Sequence, residues 1–263
     1  MEIANNNKNN RSFIWEEEFK IHAKDIDFNG RLKFYCVCGY FFEIAARHAN
    51  YLRFGFKDLK QENVYWVLSR LHVKTLKYPG FEHKINVQTW HKGVGRLFGL
   101  RDFRIVDHQG QEMAIATSAW LILDKKTGKP IRPERFAELY NSKMDYHAIN
   151  ELPDKLEALT GYDNVKLIEP GYTDLDINFH VNAGKYIAWI QDLYSPDFYN
   201  KFRISDFQIN YLNETRFGEE IRILSRDEFH ENKMISEIEG RINDTDNPAF
   251  RARIIWHEIS EKN

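Results

Sequence analysis

Cysteine is nearly absent from this 263-residue chain, with two present, Cys36 and Cys38. Two positions apart on a helix they point to different faces, so they read as reduced core residues and not as a disulfide or a metal pair. Long apolar runs are missing too: no stretch approaches the ~18 residues of a membrane span. The opening MEIANNNKNNR is polar and Asn-rich and lacks the apolar core of a secretory signal. These absences predict a cytoplasmic protein without a membrane span, and residues 1–12 are expected to be disordered. There is no surplus of positive charge. Lys and Arg number 37 against 39 Asp and Glu, a net charge of −2, which argues against nucleic acid as a partner. The catalytic motifs GxSxG, P-loop and HExxH are lacking, and Gly93, Gly95 and Gly99 fall between predicted strands instead of opening a helix. No cluster of ligands has metal-site spacing, so neither a metal nor an organic cofactor is expected.

What the chain does have is apolar and aromatic material, 43% and 14% of its residues, enough for the cores of two ordinary domains. It also has one dense polar motif. Within YTDLDINFHVNAGKYIAWI, residues 172–190, Asp176, Asn178 and His180 recur at spacing two just before an apolar pattern of helical period. In an extended segment that spacing puts a carboxylate, an amide and an imidazole on one face. Beside them a helix start offers free N–H groups that favour developing negative charge, and together these are the parts of a hydrolytic site. The competing reading is a turn built by Asp and Asn, with Asn182 capping the helix.

An internal repeat bears on the choice. DLDINFHVN at 174–182 matches DIDFNGRLK at 25–33, an offset of 149, and further on the offset becomes 136, with Phe81, Ile85, Ala116 and Trp120 matching Phe217, Ile221, Ala252 and Trp256. The 13 missing residues fall between the helix after the motif and the next strand. At the positions of His180 and Glu214 the first copy has Arg31 and Tyr78. One copy can therefore do acid–base chemistry, and the other is a structural partner.

Each copy reads as a strand, the motif, a helix and four antiparallel strands. In the first copy partial alternation from Phe13 to Lys24 gives the strand, and Leu32 to Phe54 a long helix. Strands follow at Val64–Tyr78, Lys84–His91, Arg96–Val106 and Glu112–Leu123. A short helix is expected over Pro130–Tyr140 and a polar connection over Asn141–Asp163. The second copy has a strand near Val165–Ile168 and a helix over Ala183–Leu193. Its strands lie at Phe202–Leu212, Glu219–Phe229, Lys233–Ile242 and Ala249–Ile259. This is an α+β chain, a tandem (double) hot-dog in which two antiparallel sheets each wrap a long helix and pair edge to edge. The expected domains are a non-catalytic N-terminal hot-dog over 13–141, a linker over 142–163, and a catalytic C-terminal hot-dog over 164–263.

DLDINFHVN with KYIAWI and YLNETRFGE, joined to WVLSR at 66–70, YPGFE at 78–82, RLFGLRDF at 96–103 and ATSAWLILD at 116–124, resembles the acyl-ACP thioesterase family from about Phe13 to Trp256. The resemblance implies hydrolysis of fatty acyl-acyl carrier protein to free fatty acid. It places the catalytic residues at Asp176, Asn178, His180 and Glu214. Thr215, Asn182 and Trp66 are the candidate substrate-binding residues. Thr215 stands where the plant pattern has a cysteine after the glutamate, which removes a cysteine nucleophile, and Ala183 stands where HVN is followed by another Asn. Either carboxylate, Asp176 or Glu214, can activate water or attack directly, with His180 moving the proton. Leu32–Phe42 and Tyr65–Leu71 are candidate acyl-tunnel linings, and His48, His72 and the remaining histidines read as packing or surface residues. Lys125, Lys126, Lys129 and Arg132 form a basic cluster suited to acidic acyl carrier protein, the expected partner beside the acyl thioester itself. A homodimer is allowed. The alternatives are an acyl-CoA thioesterase and a hot-dog protein that binds acyl thioesters without cleaving them.

Overall fold

Alternating exposure along Trp15–Lys20 turns Trp15 and Phe19 inward and three charged side chains outward, giving β1, an edge strand of a computed structural model that describes residues 14–95, 97–132 and 146–259. After the first motif comes α1, Phe34–Tyr51, whose buried stripe Phe34, Val37, Cys38, Phe41, Ile44, Ala45 and His48 recurs at three and four. A short helix α2, Phe56–Gln61, leads into β2, Val64–Thr75, β3, Lys84–Val94, β4, Gly99–Asp107, and β5, Glu112–Asp124. The first residues of the predicted helix at 130–140 instead make a two-residue strand β6, Pro130–Ile131, paired to Leu123 and Ile122, because Pro130 has no N–H to give and takes an edge position. Most of that predicted helix and the disorder expected over residues 1–12 lie outside the described residues.

The second copy repeats the order as β7, Asn164–Ile168, α3, Ala183–Gln191, α4, Pro196–Lys201, β8, Phe202–Tyr211, β9, Ile221–His230, β10, Lys233–Ile242, and β11, Pro248–Glu258. Pro196 at the start of α4 and the Ser195 side chain accepting from Phe198 N mark a helix start that the periodicity reading passed over. The strands run β1-β3-β4-β5-β2-β8-β11-β10-β9-β7, so the two sheets are halves of one continuous antiparallel sheet, joined where β2 pairs β8 with His72 opposite Gln208. Across that seam His72 Nε2 lies 2.9 Å from Asp206 Oδ2, and the Phe34 and Phe207 rings pack 4.9 Å apart. Helices α1 and α3 contact each other inside the curved sheet, and Tyr35 N donates to Gln191 Oε1 at 2.7 Å.

The halves differ where the repeat offset changes. Helix α1 has 18 residues and α3 nine, a difference of about two and a half turns. Residues 62–63 separate α2 from β2, whereas β8 starts directly after α4. The expected linker is a strap. Trp90 Nε1 donates to Tyr146 O and Ala148 N to Asp102 Oδ2 over the first half; Asp154 N donates to Gln208 Oε1, Leu156 N to Asn210 Oδ1 and Leu159 N to Glu239 Oε2 over the second. Those polar side chains stand where an outward strand face would meet water, and the extended segment takes the place of that water.

Candidate active site

The DxDxN loop is held the same way in both copies. Asp176 Oδ1 accepts from Asn178 N at 2.8 Å and His180 N at 3.2 Å, and Asp176 N donates to His180 O at 2.7 Å. Asp27 Oδ1 accepts from Asn29 N at 2.8 Å and Arg31 N at 2.9 Å, and Asp27 N donates to Arg31 O at 2.8 Å. One oxygen of Asp176 is thus spent on shaping the loop, a task its counterpart performs without any imidazole. Oδ2 has no hydrogen-bond partner among the described residues. The loop turns at Phe179, φ +62°, where the first copy has Gly30 at +71°. A bulky residue there costs about 1–2 kcal/mol relative to an unstrained backbone. Its ring is 78% exposed, so no packing repays the strain.

What distinguishes the second copy is the pair beyond the loop. His180 Nε2 lies 3.0 Å from Glu214 Oε2, with His180 Cα-paired to Arg216 as Arg31 is to Gly80. Glu214 also receives the Tyr65 hydroxyl on Oε1 at 3.3 Å and has Arg216 at 3.9 Å from Oε2. Tyr65 comes from β2 of the other half, and its phenol is held above the usual value by burial and then by the negative charge of Glu214. In the first copy the corresponding Tyr78 hydroxyl donates to Ile204 O at 2.9 Å and makes no such pair. The backbone amide of Val181 donates to Thr215 O, and Asn182 caps α3 by accepting from Gly184 N at 2.9 Å. The candidate substrate-binding residues therefore separate. Thr215 is fully buried beside Tyr186, Asn182 serves the helix, and Trp66 stands in a cavity wall.

That cavity, of about 240 Å³, joins the two halves at the site: Asn178 comes from the motif, Tyr65 and Trp66 from β2, and Ala45, Ala46 and Ala49 from α1. Three alanines on one helix face leave room that larger side chains would fill. Of the stretches expected to line an acyl tunnel, Tyr65, Trp66 and Phe42 do so, whereas Phe34, Val37, Cys38 and Phe41 are sealed in the core. Sequence reasoning also missed the polar end of the cavity. Arg101, His91 and His48 interlock there, with Arg101 Nη1 3.0 Å from His48 Nδ1 and Nη2 3.1 Å from His91 Nε2. Burial and the guanidinium charge lower the His48 pKa to about 3 and hold that of His91 well below its ordinary value. Both imidazoles are neutral acceptors, a role that no local pattern in the sequence announces.

In the second half four rings, Tyr194, Phe198, Tyr199 and Trp256, pack with centroids 4.7–5.9 Å apart, and Tyr194 and Tyr199 also wall a second cavity, of about 790 Å³, at the first motif. The cavity at Asn178 lies under the first helix, and the carboxylate–imidazole pair belongs to the second motif.

A helix wrapped by a curved antiparallel sheet, twice, with a polar pair at the junction of the halves, is a tandem hot-dog protein. Profiles of the acyl-ACP thioesterase N-terminal and C-terminal domains match residues 13–139 and 157–258. The chain belongs to the acyl-ACP thioesterase family. An acyl-ACP thioesterase of Bacteroides thetaiotaomicron superposes with a TM-score of 0.82 at 30% identity, covering 93% of this chain and 98% of that one. The 12:0-ACP thioesterase of Umbellularia californica shares the fold, with a TM-score of 0.85 at 22% identity over 94% and 95% of the two chains. The chloroplastic oleoyl-acyl carrier protein thioesterase 2 of Arabidopsis thaliana is 24% identical over 247 residues, 87% of this chain and 66% of that protein, so the chain spans about two thirds of that relative's length. No helix among the described residues is long and apolar enough to cross a membrane.

Proposed function

We propose that this protein hydrolyses the thioester of a fatty acyl group carried by acyl carrier protein, releasing free fatty acid. The observation that carries the reading is the 3.0 Å pair of His180 and Glu214, set where the first loop, held by the same backbone bonds, has Arg31 and Tyr78. In this reading the acyl chain lies in the alanine-walled cavity of the N-terminal half and the thioester reaches the motif at Asn178. Glu214 fixes the imidazole and stabilises its protonated form, so that His180 takes a proton from water and returns it to the departing thiolate. Asn178 and the Ala183 N–H at the start of α3 polarise the carbonyl. Asp176 holds the loop, and its Oδ2 is a second acceptor for the attacking water.

The exposed turn with Lys125, Lys126, Lys129 and Arg132 is the proposed contact for the acidic carrier. A homodimer is allowed by this reading and not required by it. The curated plant relative is chloroplastic, and the cytosolic location expected from the sequence stays a proposal. The test is multiple-turnover release of fatty acid from acyl-ACP by substoichiometric protein. Tight binding without release would favour a non-catalytic binder, and equal rates on acyl-CoA would move the assignment to acyl-CoA hydrolysis.

A further inference from the structure

The first motif faces a cavity of its own, about 790 Å³, placed against α3 and β8 as the catalytic cavity is placed against α1 and β2. Its chemistry is different. Five cationic side chains, Arg31, Lys33, Lys166, Lys185 and Arg203, line it against two acids, Asp27 and Asp192. Three of the five are occupied: Lys185 pairs with Asp174 at 3.0 Å, Lys166 donates to Asp192 O and Lys33 to Lys24 O. Arg31 and Arg203 form no ion pair among the described residues, and Asp27 is engaged by the loop amides. Burial, and then the positive charge of Arg31, hold the Arg203 guanidinium below its ordinary pKa. Two half-buried guanidiniums lining one cavity repel, and a ligand that neutralises both removes that repulsion.

We propose that this cavity is a second, non-hydrolytic site that binds the phosphate group of a small phosphorylated ligand through Arg31 and Arg203. Guanidinium forks match phosphate oxygens two at a time, and two of them serve a dianion better than a monoanion. A long acyl carboxylate fits less well, because it offers a single negative charge to the two guanidiniums and its alkyl chain would lie against Lys33, Lys166 and Lys185. The site is separate from the hydrolytic one, since neither Arg31 nor Arg203 lines the cavity at Asn178.

The experiment is calorimetric titration of the full chain in phosphate-free buffer with inorganic phosphate, pyrophosphate, adenosine 3′,5′-bisphosphate and laurate. Saturable binding of the phosphate probes is expected, weakened at least tenfold in Arg31→Gln and in Arg203→Gln and unchanged in Lys233→Ala, an exposed lysine outside the cavity. Arg203→Lys keeps the charge without the fork and should give an intermediate loss; it serves as the second reading if the Gln variants fail to fold, as judged by circular dichroism. Tighter binding of the bisphosphate than of phosphate identifies a nucleotide-bearing ligand, with Phe28 and Tyr35 in the wall as stacking surfaces, and equal binding identifies free phosphate. Binding that is non-saturable, or equal in wild type and all Arg variants, overturns the proposal. So does laurate binding that Arg31→Gln abolishes while phosphate binds nowhere.

Discussion

Replacing Glu214 by Gln keeps the shape of the side chain and removes its charge. The carboxylate is about one-third exposed and His180 less so, so the contact contributes at most about 1 kcal/mol to folding, and the melting temperature should move by less than about 4 °C. Its effect on turnover should be far larger. A positioned acid–base group is worth about 10²- to 10⁴-fold in rate, or ~3–5 kcal/mol at 1.36 kcal/mol per decade. Glu214 contacts His180 at 3.0 Å, so most of that effect should pass through the imidazole. His180→Ala and the double variant should then have nearly the same kcat/KM on acyl-ACP, giving a coupling energy of at least ~2.7 kcal/mol, two decades of rate. Asp27→Ala provides the control for loop damage, since Asp27 makes the same backbone bonds as Asp176 in the other copy. Multiplicative losses in the double variant, with the fold intact, would refute the paired mechanism and put Glu214 on the water or the carbonyl directly.

Acid should unfold the protein through the cavity's polar end. The folded His48 pKa is about 3, against ~6.5 unfolded, and that of His91 is also depressed. The stability they confer is complete above pH ~6.5 and falls below it by up to ~1.4 kcal/mol per pH unit for each group. Urea midpoints from pH 7 to 4 should show this slope, and His48→Gln should flatten it; an unchanged slope would remove His48 from the account. Ala46→Phe, which fills the cavity wall, should shift the preferred acyl chain to shorter lengths in a mixed acyl-ACP assay, and an unchanged product profile would place the acyl chain elsewhere. Gly240→Ala should cost about 1–3 kcal/mol, because an added Cβ would meet the buried Phe250 ring at 2.1 Å. A melting temperature equal to wild type would show that the ring has room to yield.

Much of this protein was written in local sequence. Alternation, apolar periodicity and turn signals located eight of the long strands and both principal helices within a few residues, since those patterns record which face of each element meets water. The repeat itself, DIDFNG against DLDINF, implied two like units, and the change of Arg31 to His180 and Tyr78 to Glu214 singled out the half with acid–base groups. Periodicity could not supply the short helices α2 and α4, each six residues long, because so few turns show little of a pattern. Tertiary structure alone decided the rest. That Asp176 spends one oxygen on its own loop depends on backbone angles at Phe179, and that Tyr65 of one half reaches Glu214 of the other depends on the β2–β8 seam. The cavity at Asn178 lies under α1, which runs on past its counterpart and carries alanine at 45, 46 and 49, while the second half packs the rings of Tyr194, Phe198, Tyr199 and Trp256 together. Such choices are made by side chains far apart in sequence competing for the same volume, and a linear pattern holds no record of who wins.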